Sequence, residues 1–291
     1  MPNKKIAFLG LGVMGYHMAK HLAQKGGCDV TVYNRTSTKA DAWVREFGGK
    51  SAASPAEAVK NQDIIFACVG NDDDLRSITL GENGAFATMS KGAIFVDHTT
   101  ASASVARELY AEAQKLGIHF IDAPVSGGEA GAVNGALTVM CGGDQIPYTH
   151  VEPVIAHFSK ACRLMGGSGA GQLTKMVNQI CIAGIVQGLS EAIHFAKRAE
   201  LNIEDVISVI SKGAAQSWQM ENRYKTMNEG KFDFGFAVDW MRKDLNIVLN
   251  EARSNGANLP ITALVDQFYS DVQHMGGNRW DTSSLLARLE R

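Results

Sequence analysis

The sequence predicts an α/β fold, with an N-terminal doubly wound Rossmann domain followed by a C-terminal all-helical domain. Three observations predict it. Short apolar runs alternate with helical stretches over the first half of the chain. A Gly-x-Gly-x-x-Gly run, Gly10 to Gly15, sits between the first apolar run and the first helix. After about residue 165 the strand-like runs stop and only helical spacing remains.

The elements follow in order. Apolar runs occur at 6–9, 30–33, 63–69, 93–97, 118–121 and 137–141, each short and nearly free of charge, as expected of strands covered on both faces. Helical candidates lie between them near 14–26, 38–47, 72–79 and 102–116. Such alternation builds βαβ units and a parallel sheet. From Gln172 to Ala199 apolar residues recur at helical spacing with hardly a break. Further helices are expected near 204–212, 218–228, 237–255, 261–275 and 282–290. Gly166-Gly167-Ser168-Gly169-Ala170-Gly171 reads as the hinge, which sets domains at 1–165 and 166–291.

Composition narrows the class. With 45% hydrophobic residues among 291 the chain can bury a sizeable core, and a net charge of -2 without charged blocks gives no nucleic-acid surface. Five scattered cysteines with no CxxC read as small core residues in a reducing compartment, neither a disulfide framework nor a zinc site. The N-terminal apolar stretch after Met1-Pro2-Asn3 is broken at Gly10 and does not read as a signal peptide. No window is expected to approach the ~20 apolar residues of a membrane span. A cytoplasmic protein is the expectation.

The glycine run reads as a nucleotide cradle. Gly10 makes the tight turn, Gly12 lets backbone approach a pyrophosphate, and Gly15 lets the helix pack close to the strand. Leu11, Val13 and Met14 complete the loop, and the helix N-terminus offers N–H groups to phosphate. At the end of the second strand, where an NAD site usually has an acid, stand Asn34-Arg35-Thr36 and then Lys39. A guanidinium and an ammonium there would pair with a 2′-phosphate, which favours NADP over NAD. The alternative is that Arg35 and Lys39 are solvated surface charges.

Lys175 is the one charge in the apolar opening of the long helix. It either snorkels or acts chemically; burial of its ammonium would lower its pKa and suit it to proton transfer. Asn178 and Gln179 follow at three and four residues, on a shared face. Asp122-Ala123-Pro124-Val125-Ser126-Gly127-Gly128 ends the fifth apolar run. It is either a plain turn or a small nest in which Ser126 and the N–H groups of Gly127 and Gly128 hold a carboxylate.

These segments, with Lys243-Asp244-Leu245, occur in the order and spacing of the β-hydroxyacid dehydrogenase family, which the chain resembles over essentially its whole length. The family includes 3-hydroxyisobutyrate dehydrogenase, tartronate semialdehyde reductase and the plant glyoxylate/succinic semialdehyde reductases, and is related to 6-phosphogluconate dehydrogenase. The resemblance implies a helical domain of the 6-phosphogluconate dehydrogenase-like type. It implies Lys175 as general acid/base, with Ser126, Gly127 and Gly128 on the substrate carboxylate. An amide at Asn178 or Gln179 would orient the substrate, Trp218 would cap the pocket, and Val69, Gly70 and Thr100 would line the nicotinamide half. Lys243 would reach the cofactor side. Many members have two consecutive asparagines after the lysine where this chain has Asn178-Gln179. Many have Asn where it has His21, which is expected on the helix surface.

The function implied is NADP-dependent interconversion of a small 3-hydroxy acid and its semialdehyde, in the 3-hydroxyisobutyrate, tartronate semialdehyde, glyoxylate or succinic semialdehyde class. No metal is expected: His119, His150, His157 and His274 show no ligand spacing. An NAD-dependent 3-hydroxyisobutyrate or serine dehydrogenase is the alternative within enzymes. Imine reductases share the architecture but typically replace the lysine. An NADP-binding sensor or scaffold is the non-enzymatic alternative. Trp218 is otherwise domain core, and Trp240 with Phe232, Phe234 and Phe236 reads as packing, while nothing in the spacing selects Arg223 or Arg242 as anchors. The apolar 172–199 helix suggests a homodimer or homotetramer.

Overall fold

The computed structural model describes residues 4–291; Met1, Pro2 and Asn3, where the reading of the N-terminus begins, lie outside the described residues. The chain divides into two compact units, Met1–Lys175 and Met176–Arg291.

In the first unit β1 (Lys5–Leu9) runs through the glycine loop into α1 (Val13–Gln24). There follow β2 (Asp29–Tyr33), α2 (Ser37–Phe47), β3 (Lys50–Ser51), α3 (Pro55–Ala58), β4 (Ile64–Ala67) and α4 (Asp72–Leu80). Then come β5 (Ile94–Asp97), α5 (Ala103–Leu116), β6 (His119–Asp122), β7 (Val125–Ser126), α6 (Gly128–Asn134), β8 (Leu137–Gly142), α7 (Gln145–Ile155) and β9 (Ser159–Gly166). The strands form one sheet in the order β3-β2-β1-β4-β5-β6-β8-β7, with β9 paired to β8. From β3 to β6 every pairing is parallel; β8 runs antiparallel to β6 and β7 and parallel to β9.

Alternate strand residues serve opposite faces. Ile6 and Phe8 join Val32, Phe66 and Val96 in one buried layer with Met18, Leu22 and Trp43. Ala7 and Leu9 join Ile65 and Phe95 in the other, with Leu75, Val105 and Leu109. Burying each such large side chain is worth about 1.5–3 kcal/mol, so both faces drive the sheet shut. The chain leaves β1 towards β2 and β3 and returns to its other side at β4, which makes β1/β4 the topological switch point where ligands bind in open α/β sheets.

Two differences from the sequence reading concern this unit. β9 continues the sheet past residue 141, where no further strand was expected. It is a half-exposed edge carrying Lys160 and Arg163, and charge on an edge strand hides it from an apolar pattern. The division between units falls inside a helix at Lys175, ten residues past the expected boundary at 165; the glycine-rich segment stays with the first unit, where the Gly169 N–H bonds to Asp122.

Helix α8 (Ala170–Arg198) crosses the division. The second unit adds α9 (Ile203–Ile210), α10 (Trp218–Asn228), α11 (Val238–Asn255), α12 (Pro260–His274) and α13 (Leu285–Leu289). Ala183 and Val186 of α8 pack with Val238, Met241, Leu245, Val265 and Tyr269; Leu189 and Ile193 pack with Ile203, Ile207, Met220 and Met227. Contrary to the sequence expectation, α8 is apolar and long enough to cross a bilayer, with a mean hydropathy of 1.3 in its best window. Of that window 44% is buried inside the protein, which accounts for much of its apolar character.

Candidate active site

The carboxyl ends of the parallel strands carry most of the candidate residues. Gly10 follows β1 with φ +96, and a Cβ there would strike the Cys68 carbonyl oxygen at the end of β4. A Cβ on Gly15 would strike the Gly10 carbonyl oxygen and lie 2.9 Å from Phe8, so this glycine lets α1 sit close on its own strand. Gly12 has φ -72, and a Cβ there would meet nothing within 4 Å. The protein itself does not need glycine at that position; glycine keeps open the space in front of α1.

That space suits a phosphate. Asn71 and Ser102 cap α4 and α5 with side-chain oxygens, whereas α1 has no side-chain cap and no acid in its first turn. Its N-terminal N–H groups and the positive end of its dipole are thus directed at the cradle. A cleft of about 320 Å³ opens there, lined by Leu11, Gly12, Val13, Tyr16, His17, Lys39 and Ala42. Met14, in the same first turn, is turned towards the core instead. The donor set fits a dinucleotide: a glycine loop without obstruction, open helix N–H groups and the Lys39 ammonium.

Asn34 and Arg35 follow β2 directly, and both are engaged within the protein. The Asn34 Oδ1 accepts from the Leu11 N–H at 2.9 Å and its Nδ2 donates to the Thr36 carbonyl at 3.0 Å. The amide thereby ties the glycine loop to the end of β2. Arg35 is exposed and pairs with Asp74 of α4 at 3.0 Å, outside the residues that line the cleft.

The next strand ends form a buried polar chain. The Val69 N–H donates to the Thr99 hydroxyl at 3.0 Å, and the Thr99 N–H donates to Asp97 at 2.9 Å. Asp97 is fully buried; desolvation pushes its carboxyl up to about 7, and neighbouring Asp122 adds in the same direction. The loop after β5 holds Thr100. It is strapped by Gln172, whose Nε2 donates to the Thr99 carbonyl at 2.8 Å and whose Oε1 accepts from the Ala101 N–H at 3.1 Å.

Asp122, at the end of β6, caps α8 from outside the helix. Its two oxygens accept from the Gly169 N–H at 2.7 Å and the Gln172 N–H at 2.9 Å. Burial pushes this carboxyl up to about 6, against the pull of those N–H groups. Gly171 sits so close that a Cβ would meet the Asp122 carbonyl oxygen at 2.6 Å. Lys175 lies one turn beyond Gln172 on α8 and is 8% exposed. Asp97, Asp122 and Gln172 had no role in the sequence reading; the signal available was a polar residue closing or interrupting an apolar run.

Ser126 lies in β7, in register with Thr138 of β8. Gly127 and Gly128 follow with φ +128 and +60, a pair of conformations that only glycine adopts readily. A Cβ on Gly128 would meet nothing within 4 Å. His21, expected on the surface, is buried at 4% exposure, with Nε2 3.0 Å from the Ala132 carbonyl and 3.1 Å from that of Val133. It holds α1 to the end of α6, and burial lowers its pKa.

In the second unit Gln179 is buried and fully engaged. Its Nε2 donates to Asp244 Oδ2 at 2.7 Å, and its Oε1 accepts from Asn178 Nδ2 at 2.8 Å. The Lys243 ammonium lies 3.1 Å from Asp244 Oδ1, as an ion pair and not an aligned hydrogen bond, and 5.9 Å from the Trp240 ring centre. Trp218 opens α10 and is half exposed, so it is not domain core; the Arg223 guanidinium stacks on it at 4.8 Å. Arg223 also pairs with buried Asp281 at 3.4 Å. Arg242 is committed to Asp266 and Gln273. Phe232 is buried but Trp240 is exposed, which corrects its assignment to packing.

Comparison with known proteins supports the two-part organisation, an α/β nucleotide-binding part followed by a helical part. Residues 5–167 match the NAD binding domain of 6-phosphogluconate dehydrogenase. Residues 169–289 match the NAD-binding domain of NADP-dependent 3-hydroxyisobutyrate dehydrogenase. The chain is 67% identical over 287 residues to an uncharacterized oxidoreductase of Shewanella frigidimarina, covering 99% of this chain and 98% of that one. It is 33% identical to 2-hydroxy-3-oxopropionate reductase of Escherichia coli, covering 98% and 97%. The structure of Mycobacterium tuberculosis 3-hydroxyisobutyrate dehydrogenase with L-serine superposes with a TM-score of 0.90 at 26% identity, covering 99% and 100%.

Proposed function

The chain belongs to the β-hydroxyacid dehydrogenase family and is an NAD(P)-dependent oxidoreductase; from that premise we propose that it uses NADP to interconvert a small 3-hydroxy acid and its semialdehyde, with Lys175 as general acid/base. The candidates are the 3-hydroxyisobutyrate, tartronate semialdehyde, glyoxylate and succinic semialdehyde class. The observation that carries this reading is Lys175: a buried lysine, the only charge between Ala170 and Ser190, on a helix whose first turn is bonded to the sheet's carboxyl edge.

The cofactor would lie with its pyrophosphate on Gly10–Gly15 and the N-terminus of α1, its 2′-phosphate towards Arg35, Thr36 and Lys39, and its nicotinamide towards Val69, Gly70 and Thr100. When bound, it supplies or accepts the hydride. Ser126 and the N–H groups of Gly127 and Gly128 hold the substrate carboxylate. Lys175 gives a proton to the carbonyl oxygen during reduction and takes it from the hydroxyl during oxidation. We assign Asn178 to the substrate oxygen, since Gln179 is committed to Asp244 and braces Asn178. Lys243 and Trp218 remain assigned to the cofactor side and the pocket wall. The outward residues Val177, Ile185 and Phe195 of α8 suit a homo-oligomer, and the free thiols suit the cytoplasm.

The test is turnover of a panel of carboxylate-bearing aldehydes, with wild type and Lys175→Ala. The variant is expected to bind NADPH normally and to lose ~10²–10⁴ in kcat. Near-normal turnover in that variant would sink the assignment.

A further inference from the structure

We propose that Asp122 and Gln172 are positioning residues for proton transfer: together they fix the first turn of α8, and through it Lys175, against the ends of β5 and β6. This rests on Lys175 being the acid/base group.

The geometry asks for more than a helix cap. A local serine is the usual solution and Ser168 is at hand, yet its hydroxyl donates to the Ala106 carbonyl at 3.2 Å. The cap comes instead from a strand 47 residues earlier, as a wholly buried carboxylate bonded to the N–H groups of Gly169, just ahead of α8, and Gln172, in its first turn. Burying such a group is unfavourable, and an isolated helix start does not require it. What it achieves is register: the helix cannot slide along the sheet without breaking both bonds.

The glycines point the same way. A Cβ on Gly142 would lie 2.6 Å from Asp122 Oδ1 and 2.7 Å from the Gly171 nitrogen, so β8 and α8 are packed at backbone contact around the carboxylate. In the same turn the Gln172 side chain straps the 99–101 loop through one donated and one accepted bond. That loop is braced in turn by Asp97, and by Thr99 against the Val69 N–H. The ends of β4, β5 and β6 and the first turn of α8 are therefore one bonded unit. Lys175 follows Gln172 by three residues, on the same helix face. A displacement of about 1 Å in a reacting group costs on the order of 100-fold in rate, so loosening this unit should be read in kcat.

The experiment is a pair of double-mutant cycles on the whole enzyme, using Asp122→Asn, Gln172→Met and Lys175→Ala with the best aldehyde of the panel. Asp122→Asn presents an amide N–H to one helix N–H. Gln172→Met keeps the side-chain length, removes both straps and leaves the Asp122 cap in place. Each single variant is expected to lose about 10–100-fold in kcat with a much smaller change in NADPH affinity, because the glycine cradle is untouched. Each loss should nearly vanish in the Lys175→Ala background, since residues that act through one group are not additive. Losses that multiply with that of Lys175→Ala, or unchanged kcat per folded enzyme, would overturn the inference while Lys175 stands. Near-normal turnover of Lys175→Ala alone would overturn both, and so separates the two failures. If Asp122→Asn does not fold, Gln172→Met carries the cycle.

Discussion

Arg35 poses a quantitative question, because it is tied to Asp74 and yet is the guanidinium expected to meet a 2′-phosphate. The pair is 3.0 Å long, with the Arg35 side chain 85% exposed and Asp74 30% exposed. Exposed pairs of this kind are worth about 0.2–1 kcal/mol. A hydrogen bond from a guanidinium to a phosphate is worth about 1.5–3 kcal/mol. The phosphate should win, by about 1–2 kcal/mol, and draw Arg35 from Asp74 when NADPH arrives. Arg35→Ala should then raise the KM for NADPH by about 5–30-fold and leave NADH unchanged, at about 1.4 kcal/mol per decade. Asp74→Asn removes the competitor and should lower the NADPH KM by up to about fivefold. Both effects should shrink in high salt, as exposed charges are screened. The assay is kcat/KM for each cofactor at saturating aldehyde. An Arg35→Ala enzyme with an unaltered NADPH/NADH ratio would refute the argument, most directly if Lys39→Ala alone shifts the ratio.

Two further outcomes follow from burial. His98 lies between Phe66 and Phe158, with Nδ1 donating to the Ala123 carbonyl at 2.6 Å, and burial drives its pKa from 6.5 down to about 4. It is neutral in the fold, while the unfolded chain takes up a proton below 6.5. Its contribution to stability is therefore complete above pH 6.5, falls as pH drops, and is fully lost below about 4. Between pH 7.5 and 5 the loss is about 2 kcal/mol. Asp97 and Asp122, raised to about 7 and about 6, act in the opposite sense over that window, since the folded state holds their protons more tightly. Urea unfolding of wild type and His98→Gln at the two pH values isolates the histidine; a difference that does not change with pH contradicts it. Gly171→Ala places a methyl against backbone carbonyls that cannot step aside, with the Asp122 oxygen at 2.6 Å. It should cost about 1–3 kcal/mol of stability, read from denaturant midpoints. An unshifted midpoint would mean that α8 is less tightly seated than its glycines indicate.

The central strands were legible because a strand buried on both faces has no choice but to be apolar, and Ile64–Ala67 and Ile94–Asp97 show it. The glycine cradle was legible because its geometry is local: Gly10 and Gly15 answer to atoms of their own loop and the neighbouring strand end. What escaped depended on distant partners. His21 is buried by carbonyls 111 and 112 residues away, and Asp122 meets α8 across 47 and 50 residues. No spacing rule reports such a meeting. Arg35 was legible as a cation near the second strand but not as one already engaged, since Asp74 approaches from α4. The β9 edge escaped for the opposite reason, as its charges answer to solvent.

Several of the buried polar residues fall among or beside the candidate site residues. Asp97, Asp122, Gln172 and Lys175 are buried polar groups, and each sits at a strand's carboxyl end or in the opening turns of α8. Gln179 and Asp244 are a further buried and bonded polar pair, in the helical unit. A sequence selected only for stability would replace such groups with hydrocarbons, since even well-bonded buried charges return little. Their presence at one edge of the sheet and on the next turns of a single helix is what a precise constellation requires: rotamers held by bonds to neighbours that are themselves held. Stability is given up where register has to be exact to a fraction of an ångström, and that register is what would bring the Lys175 ammonium to the same oxygen at each turnover.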